Sequence, residues 1–194
     1  MSTAMFGERV QRLADAKLVR GEGSFIDDIP LDGALHVAFV RSPFARAHIR
    51  SIDCDAAREM DGVAAVYTCD ELCHLDILMP LLIPHPSLTE PRTQRPLARD
   101  DVFHVGQTVV MVVAVDRYTA EDAARLIDVD YEPLDVELEL EAAVQDDAPR
   151  VHPDVANNVA AHFVQRSGDP DGAFARADHI TKIKVQVDRS TAAP

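Results

Sequence analysis

The densest group of chemically capable side chains is Cys69, Cys73 and His74, a C-x3-C-H arrangement that offers three ligands to a metal ion. Structural zinc takes four ligands, and no second pair at a suitable spacing completes the tetrahedron. On a short helix Cys69 and Cys73 would share one face, where they also fit as small core residues. The eight histidines (36, 48, 74, 85, 104, 152, 162 and 179) form no H-x-H or H-x-x-x-H pair, and each reads more simply as a surface or capped residue than as a catalytic base. Gly21-Glu22-Gly23 lacks the third glycine and the preceding strand of a dinucleotide loop. Val105-Gly106-Gln107 sets a glycine and an amide at a strand entrance, where a ligand can approach but a plain turn explains them as well. No serine–histidine–acid set follows from spacing. No catalytic, cofactor-binding or metal residue is assigned.

Composition bounds what such side chains would serve. The chain has 194 residues, 47% apolar and 27% charged, the balance of a globular protein large enough to fold without disulfides or metal. Its charge is −14, and residues 51–150 alone carry 22 acidic against 7 basic side chains. That field repels phosphate backbones and anionic lipid, so nucleic acid and membrane are not expected partners. There is no run of 18 apolar residues and no signal-peptide layout, and three cysteines (54, 69, 73) suit reduced thiols in a cytoplasm.

Residues 1–34 read as irregular, with a short helix possible between Arg9 and Arg20. Strands are expected at Leu35–Arg41 and about Ala45–Ile52. Asp53 or Asp55 should cap a short helix through Met60, with Gly62 at its end, followed by a strand Val63–Tyr67. Thr68-Cys69-Asp70-Glu71 has capping-box spacing. Pro80, Pro84, Pro86, Pro91 and Pro96 make Met79–Pro96 a long loop or arm. Thr108–Val115 is an almost unbroken β-branched run that reads as a strand buried on both faces. A helix capped by Thr119, with Ala120, Ala123, Ala124 and Ile127 on one face, leads to a strand Ile127–Tyr131, so this stretch predicts a strand–helix–strand crossover. The acidic ladder Asp135, Glu137, Glu139, Glu141 reads as the exposed face of an edge strand. Short helices are expected near Glu139–Val144 and Pro170–Ala177, and a last strand with Ile183, Val185 and Val187 on one face.

Seven of these segments, in order, carry a resemblance. Leu18-Val19-Arg20-Gly21-Glu22-Gly23-Ser24-Phe25-Ile26-Asp27-Asp28 opens it, and Leu35-His36 through Arg41-Ser42-Pro43-Phe44-Ala45-Arg46-Ala47-His48-Ile49 follows. Asp61-Gly62-Val63, Val105-Gly106-Gln107, Val112-Val113-Ala114, Ala120-Glu121-Asp122-Ala123-Ala124 with Val129 to Leu134, and Gly168-Asp169 with Ala173 to Asp178 complete it. Together they resemble the N-terminal a/b hammerhead domain of the molybdenum hydroxylases, the xanthine dehydrogenase, aldehyde oxidase and aerobic carbon monoxide dehydrogenase large-subunit family. Ala14 departs from the acidic residue often found there.

The resemblance implies an α/β (α+β) hammerhead-like fold, with a mixed sheet, short helices and one long proline-rich loop. It places an irregular segment at 1–34, the hammerhead at 35–150 and, at 151–194, an extension leading toward molybdopterin-binding domains. Members hydroxylate small substrates with water-derived oxygen on a molybdenum–pterin cofactor (molybdopterin cytosine dinucleotide), and electrons leave through two [2Fe–2S] clusters, usually to FAD. Their catalytic and cofactor-holding residues belong to later domains, so none is carried over, and Gly106-Gln107 is only a candidate for lying near the cofactor. The chain is therefore expected to be a non-catalytic N-terminal subunit or fragment, bound to molybdopterin-binding, iron–sulfur and possibly FAD-carrying parts in the cytoplasm. The alternatives are a stand-alone binding or scaffold module and a small Cys/His metalloenzyme. The substrate is not legible.

Overall fold

The computed structural model describes residue 7 and residues 12–72, 74, 77–82, 84–88 and 92–186, without the side chain of Asp27. Two units are distinguished, residues 1–79 with 94–136 and residues 80–93 with 137–194. The first unit opens with one helical turn, α1 (Asp15–Leu18), and a 3-10 turn at Ile26–Asp28. It then contains β1 (His36–Arg41), β2 (Ala47–Asp53), α2 (Asp55–Arg58), β3 (Val63–Tyr67), β4 (Asp101–Val102), β5 (Thr108–Ala114), α3 (Arg117–Arg125) and β6 (Asp128–Pro133). The second contains α4 (Leu140–Ala143), α5 (Pro170–Ala175) and an isolated bridge between Leu88 and Ala161.

The α/β class with short helices is observed, but in place of one mixed sheet the strands form two three-stranded sheets, β1-β5-β3 and β4-β2-β6, in which every described pairing is antiparallel. The β-branched run forms β5, with Val109, Val110, Val112 and Ala114 buried; Met111 and Val113 are half-buried, and Val115, expected in the strand, lies beyond it and is exposed. β5 is the central strand of its sheet. That position explains a correction. The strand–helix–strand stretch does not return to its own sheet, because β1 and β3 already occupy both edges of β5. Instead α3 carries the chain to the second sheet, where β6 pairs with β2 through Ile49–Tyr131 and Ile52–Val129. Ala120 and Ala123 of α3 are buried, since small side chains let a helix lie close to a strand surface, and they join Val66, Val102, Val110, Val112 and Ile127 in or beside the core.

Other local readings are corrected too. Thr119 does not cap α3. Asp116 does, its carboxylate accepting from Thr119 N–H at 2.9 Å and from the Thr119 hydroxyl at 2.8 Å, because a charged acceptor suits the positive helix start. Neither Asp53 nor Asp55 caps α2: the cap position is Cys54, without a side-chain bond, because Asp53 accepts from Asp55 N–H at 3.0 Å one residue too early, and the helix ends at Arg58 rather than Met60, with Gly62 following at φ +86°. Glu71 reaches back to Thr68 N–H at 2.6 Å, and turns follow through Leu72. The acidic ladder is not a strand. Pairing stops at Pro133, which has no N–H, and residues 134–139 are irregular before α4.

In the second unit, Asp169 caps α5 by accepting from Gly172 N–H at 2.9 Å, with Pro170 in the first turn and Gly168 at φ +66°. Asn158 ties the neighbouring loops: its amide donates to the carbonyls of Ala143 (2.9 Å) and Pro149 (3.0 Å) and accepts from Val151 N–H (2.9 Å). Val155 is the only buried apolar side chain of this unit among the described residues. The last predicted strand is not formed among the described residues, and Val187 lies outside them.

Candidate functional site

Two loops carry the chain between the sheets, residues 42–46 from β1 to β2 and residues 103–107 from β4 to β5, and they meet. A register shift falls at Val40/Arg41, at the end of β1 beside this junction. Ser42 N–H donates to the Gln107 carbonyl at 2.9 Å, and Gly106 N–H donates to the Ser42 carbonyl at 2.8 Å. Arg41 Nη1 donates to the Gly106 carbonyl at 2.9 Å while its guanidinium lies 5.4 Å from the Phe39 ring centre. Gly106 has φ +86°, which explains the glycine before Gln107 as a turn requirement.

Ser42 (2% exposed) and Gln107 (4%) are the buried polar side chains among the described residues. Both are satisfied locally. Gln107 Oε1 accepts from Phe103 N–H at 2.7 Å. Ser42 Oγ accepts from Phe44 N–H at 3.0 Å and donates to the Phe44 carbonyl at 2.9 Å. Phe44 in turn packs on Tyr131 with ring centres 5.3 Å apart. The arrangement is a clasp: two backbone bonds join the loops just beyond the β1–β5 pairing, and each buried side chain braces its own loop. Beyond it, Arg46 Nε and the Tyr131 hydroxyl are buried without a hydrogen-bond partner, and burial pushes the Tyr131 phenol above its ordinary range.

Cys69 is buried after β3, as a small core residue would be, while Cys73 lies outside the described residues. His48 pairs with Asp101 across β2 and β4, His85 contacts the Ser87 hydroxyl at 2.7 Å, and His179 contacts the Thr181 hydroxyl at 3.1 Å. These are separate local pairs. Cys54 is buried as well, and burial pushes its thiol up, opposed by the nearby Arg58 guanidinium. No group of three or more His, Cys, Asp and Glu placed to hold a metal ion occurs among the described residues. Iron–sulfur clusters take four cysteine thiolates, one more than the whole chain possesses. The donor set therefore does not fit an iron–sulfur cluster, and no reaction step is derived through a cofactor held by this chain. Reading by motif undervalued Ser42. Its signal was a hydroxyl before proline two residues from a backbone amide, the pattern of a serine turn.

Residues 20–135 match the family described as aldehyde oxidase and xanthine dehydrogenase, a/b hammerhead domain. The chain is 37% identical over 190 residues to the nicotine 6-hydroxylase large subunit of Paenarthrobacter nicotinovorans, covering 98% of this chain and 23% of that protein. Among solved structures, quinoline 2-oxidoreductase from Pseudomonas putida 86 is similar with a TM-score of 0.66 and 38% identity, over 78% of this chain and 19% of that one. A Cu,Mo-CO dehydrogenase in its carbon monoxide reduced state is similar with a TM-score of 0.67 and 35% identity, over 89% and 22%. The chain thus spans between about a tenth and a quarter of the length of the curated relatives it matches.

Proposed function

We propose, from the premise that this chain belongs to the aldehyde oxidase and xanthine dehydrogenase a/b hammerhead family, that it is a non-catalytic portion of a molybdenum hydroxylase. Its role is to support assembly with cofactor-bearing parts of the enzyme. The observation that carries this reading is the family match over residues 20–135 in a chain that corresponds to 23% of the length of its nicotine 6-hydroxylase relative. The proportion of the relatives' length that the chain matches agrees with a supporting portion.

On this reading residues 35–150 are the hammerhead, 1–34 an irregular lead-in and 151–194 an extension toward the molybdopterin-binding parts. Molybdopterin cytosine dinucleotide, [2Fe–2S] clusters and FAD belong to the complete complex, whose companions are a molybdopterin-binding part, an iron–sulfur subunit and an FAD subunit, in the cytoplasm. The apolar arm supports the same picture, since Ile77, Leu78 and Leu82 are exposed and gain from cover.

The test uses the 194-residue chain tagged at its N-terminus. Alone, it is expected to reduce no electron-accepting dye with aldehydes, purines, N-heterocycles or carbon monoxide. Produced in its native cell, it is expected to be recovered in fixed stoichiometry with polypeptide that contains molybdenum by elemental analysis. Turnover by the isolated chain overturns the reading. So does a monodisperse monomer that recovers no molybdenum from such cells.

A further inference from the structure

An aspartate followed by glycine closes on the backbone more readily than other pairs, because no Cβ hinders the approach of the glycine nitrogen to the carboxyl carbon. The chain has three such pairs, Asp32-Gly33, Asp61-Gly62 and Asp171-Gly172. Closure requires the peptide between the two residues to rotate, and the surrounding structure decides how freely it does. Asp171-Gly172 lies inside α5. There Gly172 N–H donates to the Asp169 carboxylate at 2.9 Å, its carbonyl accepts from Arg176 N–H at 3.2 Å, and Arg166 holds the Asp171 carboxylate at 2.8 Å. Asp61-Gly62 occupies a turn closed by Val63 N–H on the Met60 carbonyl at 3.2 Å. Gly62 is pinned further: its carbonyl accepts from Val115 N–H at 2.9 Å, and a Cβ there would stand 3.1 Å from Val115 and 3.2 Å from Thr119. Asp32-Gly33 turns in the same way, with φ +75° at Gly33 and Ala34 N–H donating to the Leu31 carbonyl at 3.2 Å. Its surroundings differ. Residues 31–34 are exposed, and a Cβ at Gly33 would meet nothing within 4 Å. Among the described residues, neither the Asp32 carboxylate nor the Gly33 backbone has a hydrogen-bond partner.

We propose that Asp32 is a covalent modification site, the one Asp-Gly pair that the fold leaves free to pass through a cyclic imide to isoaspartate and so to become a target for carboxyl methylation. The Gly33 nitrogen attacks Cγ of the protonated Asp32 carboxyl. The N–Cγ bond forms, the nitrogen gives up its proton, and the displaced oxygen leaves as water. Water then reopens the ring at one of its two carbonyls. Opening at Cγ restores aspartate. Opening at the main-chain carbonyl leaves the backbone running through Cβ and Cγ, with the former main-chain carbonyl carbon as a free carboxylate. Neither an oxidant nor a reductant is consumed. That carboxylate accepts a methyl group from the sulfonium of S-adenosylmethionine, whose sulfur keeps the bonding pair and becomes a thioether. Rotation at residues 31–34 breaks one hydrogen bond at the surface, whereas rotation at Gly62 or Gly172 breaks bonds that fix β5 to the α2–β3 turn or hold α5 together. The added backbone methylene falls in the irregular lead-in ahead of β1, where no ladder has to absorb it.

The test ages the protein in warm, mildly acidic buffer, native and in urea. Isoaspartate is then counted at each site by methyl transfer from labelled S-adenosylmethionine with a purified isoaspartyl methyltransferase, followed by peptide mass spectrometry. In the native protein Asp32 should accumulate isoaspartate roughly tenfold or more faster than Asp61 or Asp171. In urea the three sites should agree within about threefold, because each pair is flanked by apolar residues and only the fold distinguishes them. Asp32→Ser should remove the label from its peptide and leave the urea midpoint unchanged. Equal native rates at the three sites, or a lead by Asp61 or Asp171, overturn the proposal. So does a native Asp32 that reacts roughly tenfold more slowly than it does in urea. The comparison is internal to one polypeptide, so its outcome is independent of whether the assembly reading above holds.

Discussion

Replacing Gln107 with methionine tests the clasp most directly. The two side chains have similar length and volume, so the substitution removes the amide while nearly keeping the packing. Gln107 Oε1 accepts from Phe103 N–H at 2.7 Å, and the side chain is buried, so water cannot reach in freely as a substitute. Loss of an ordinary hydrogen bond costs about 0.5–1.5 kcal/mol, and a buried donor left without its acceptor costs about 1–3 kcal/mol. Removing the amide's own desolvation offsets part of this, which puts the expected loss at about 1–2 kcal/mol. For a chain of this size that corresponds to a melting temperature lower by roughly 2–8 °C. Urea unfolding followed by circular dichroism reads the loss, and the exchange rate of the Phe103 amide locates it. Ser42→Ala removes two bonds to Phe44 and serves as the partner variant. The backbone bonds at 2.9 and 2.8 Å connect the two positions, so the double variant should depart from additivity by about 0.5 kcal/mol or more. An unchanged urea midpoint in Gln107→Met, with Phe103 exchange also unchanged, would refute the assignment of Gln107 as a clasp residue.

Gly62→Ala and Gly106→Ala separate conformational strain from crowding. Both positions have φ +86°, but a Cβ at Gly62 would meet Val115 Cγ2 at 3.1 Å and Thr119 Cγ2 at 3.2 Å, whereas a Cβ at Gly106 meets nothing within 4 Å. Gly106→Ala should cost about 1–2 kcal/mol from the left-handed backbone alone, and Gly62→Ala measurably more by the same urea titration. Cys54 should react with iodoacetamide far more slowly in the native chain than in urea at pH 8, because it is buried and its thiol is held up; mass mapping of the alkylated residue checks this. Asp116 is held below the ordinary carboxylate range by hydrogen bonds from the Thr119 N–H and hydroxyl. Its contribution is therefore complete above the unfolded pKa and is lost as pH falls through the lower folded one, so Asp116→Asn should flatten the acid limb of the stability–pH curve.

The hydrophobic pattern alone located most elements of the first unit, because local spacing specifies which side of a strand or helix is apolar. The β-branched run at Thr108–Val115 announced a buried strand, of which Thr108–Ala114 forms β5, and the alanines at 120 and 123 announced a helix lying against strands. Ordered segments from Leu18 to Asp178 likewise carried the family. Pairing was another matter. That β6 would leave the sheet of β5 depended on β1 and β3 taking both edges, a fact about distant segments that no local window contains. The clasp was hidden for the same reason. Ser42 and Gln107 lie 65 residues apart and look ordinary in sequence, and only the folded chain brings one loop's hydroxyl and the other's amide to the same junction. Residues 179–186 show the converse. Their alternation states a preference for a sheet, but a strand exists only where another strand completes its hydrogen bonds, and the described residues of this chain offer none.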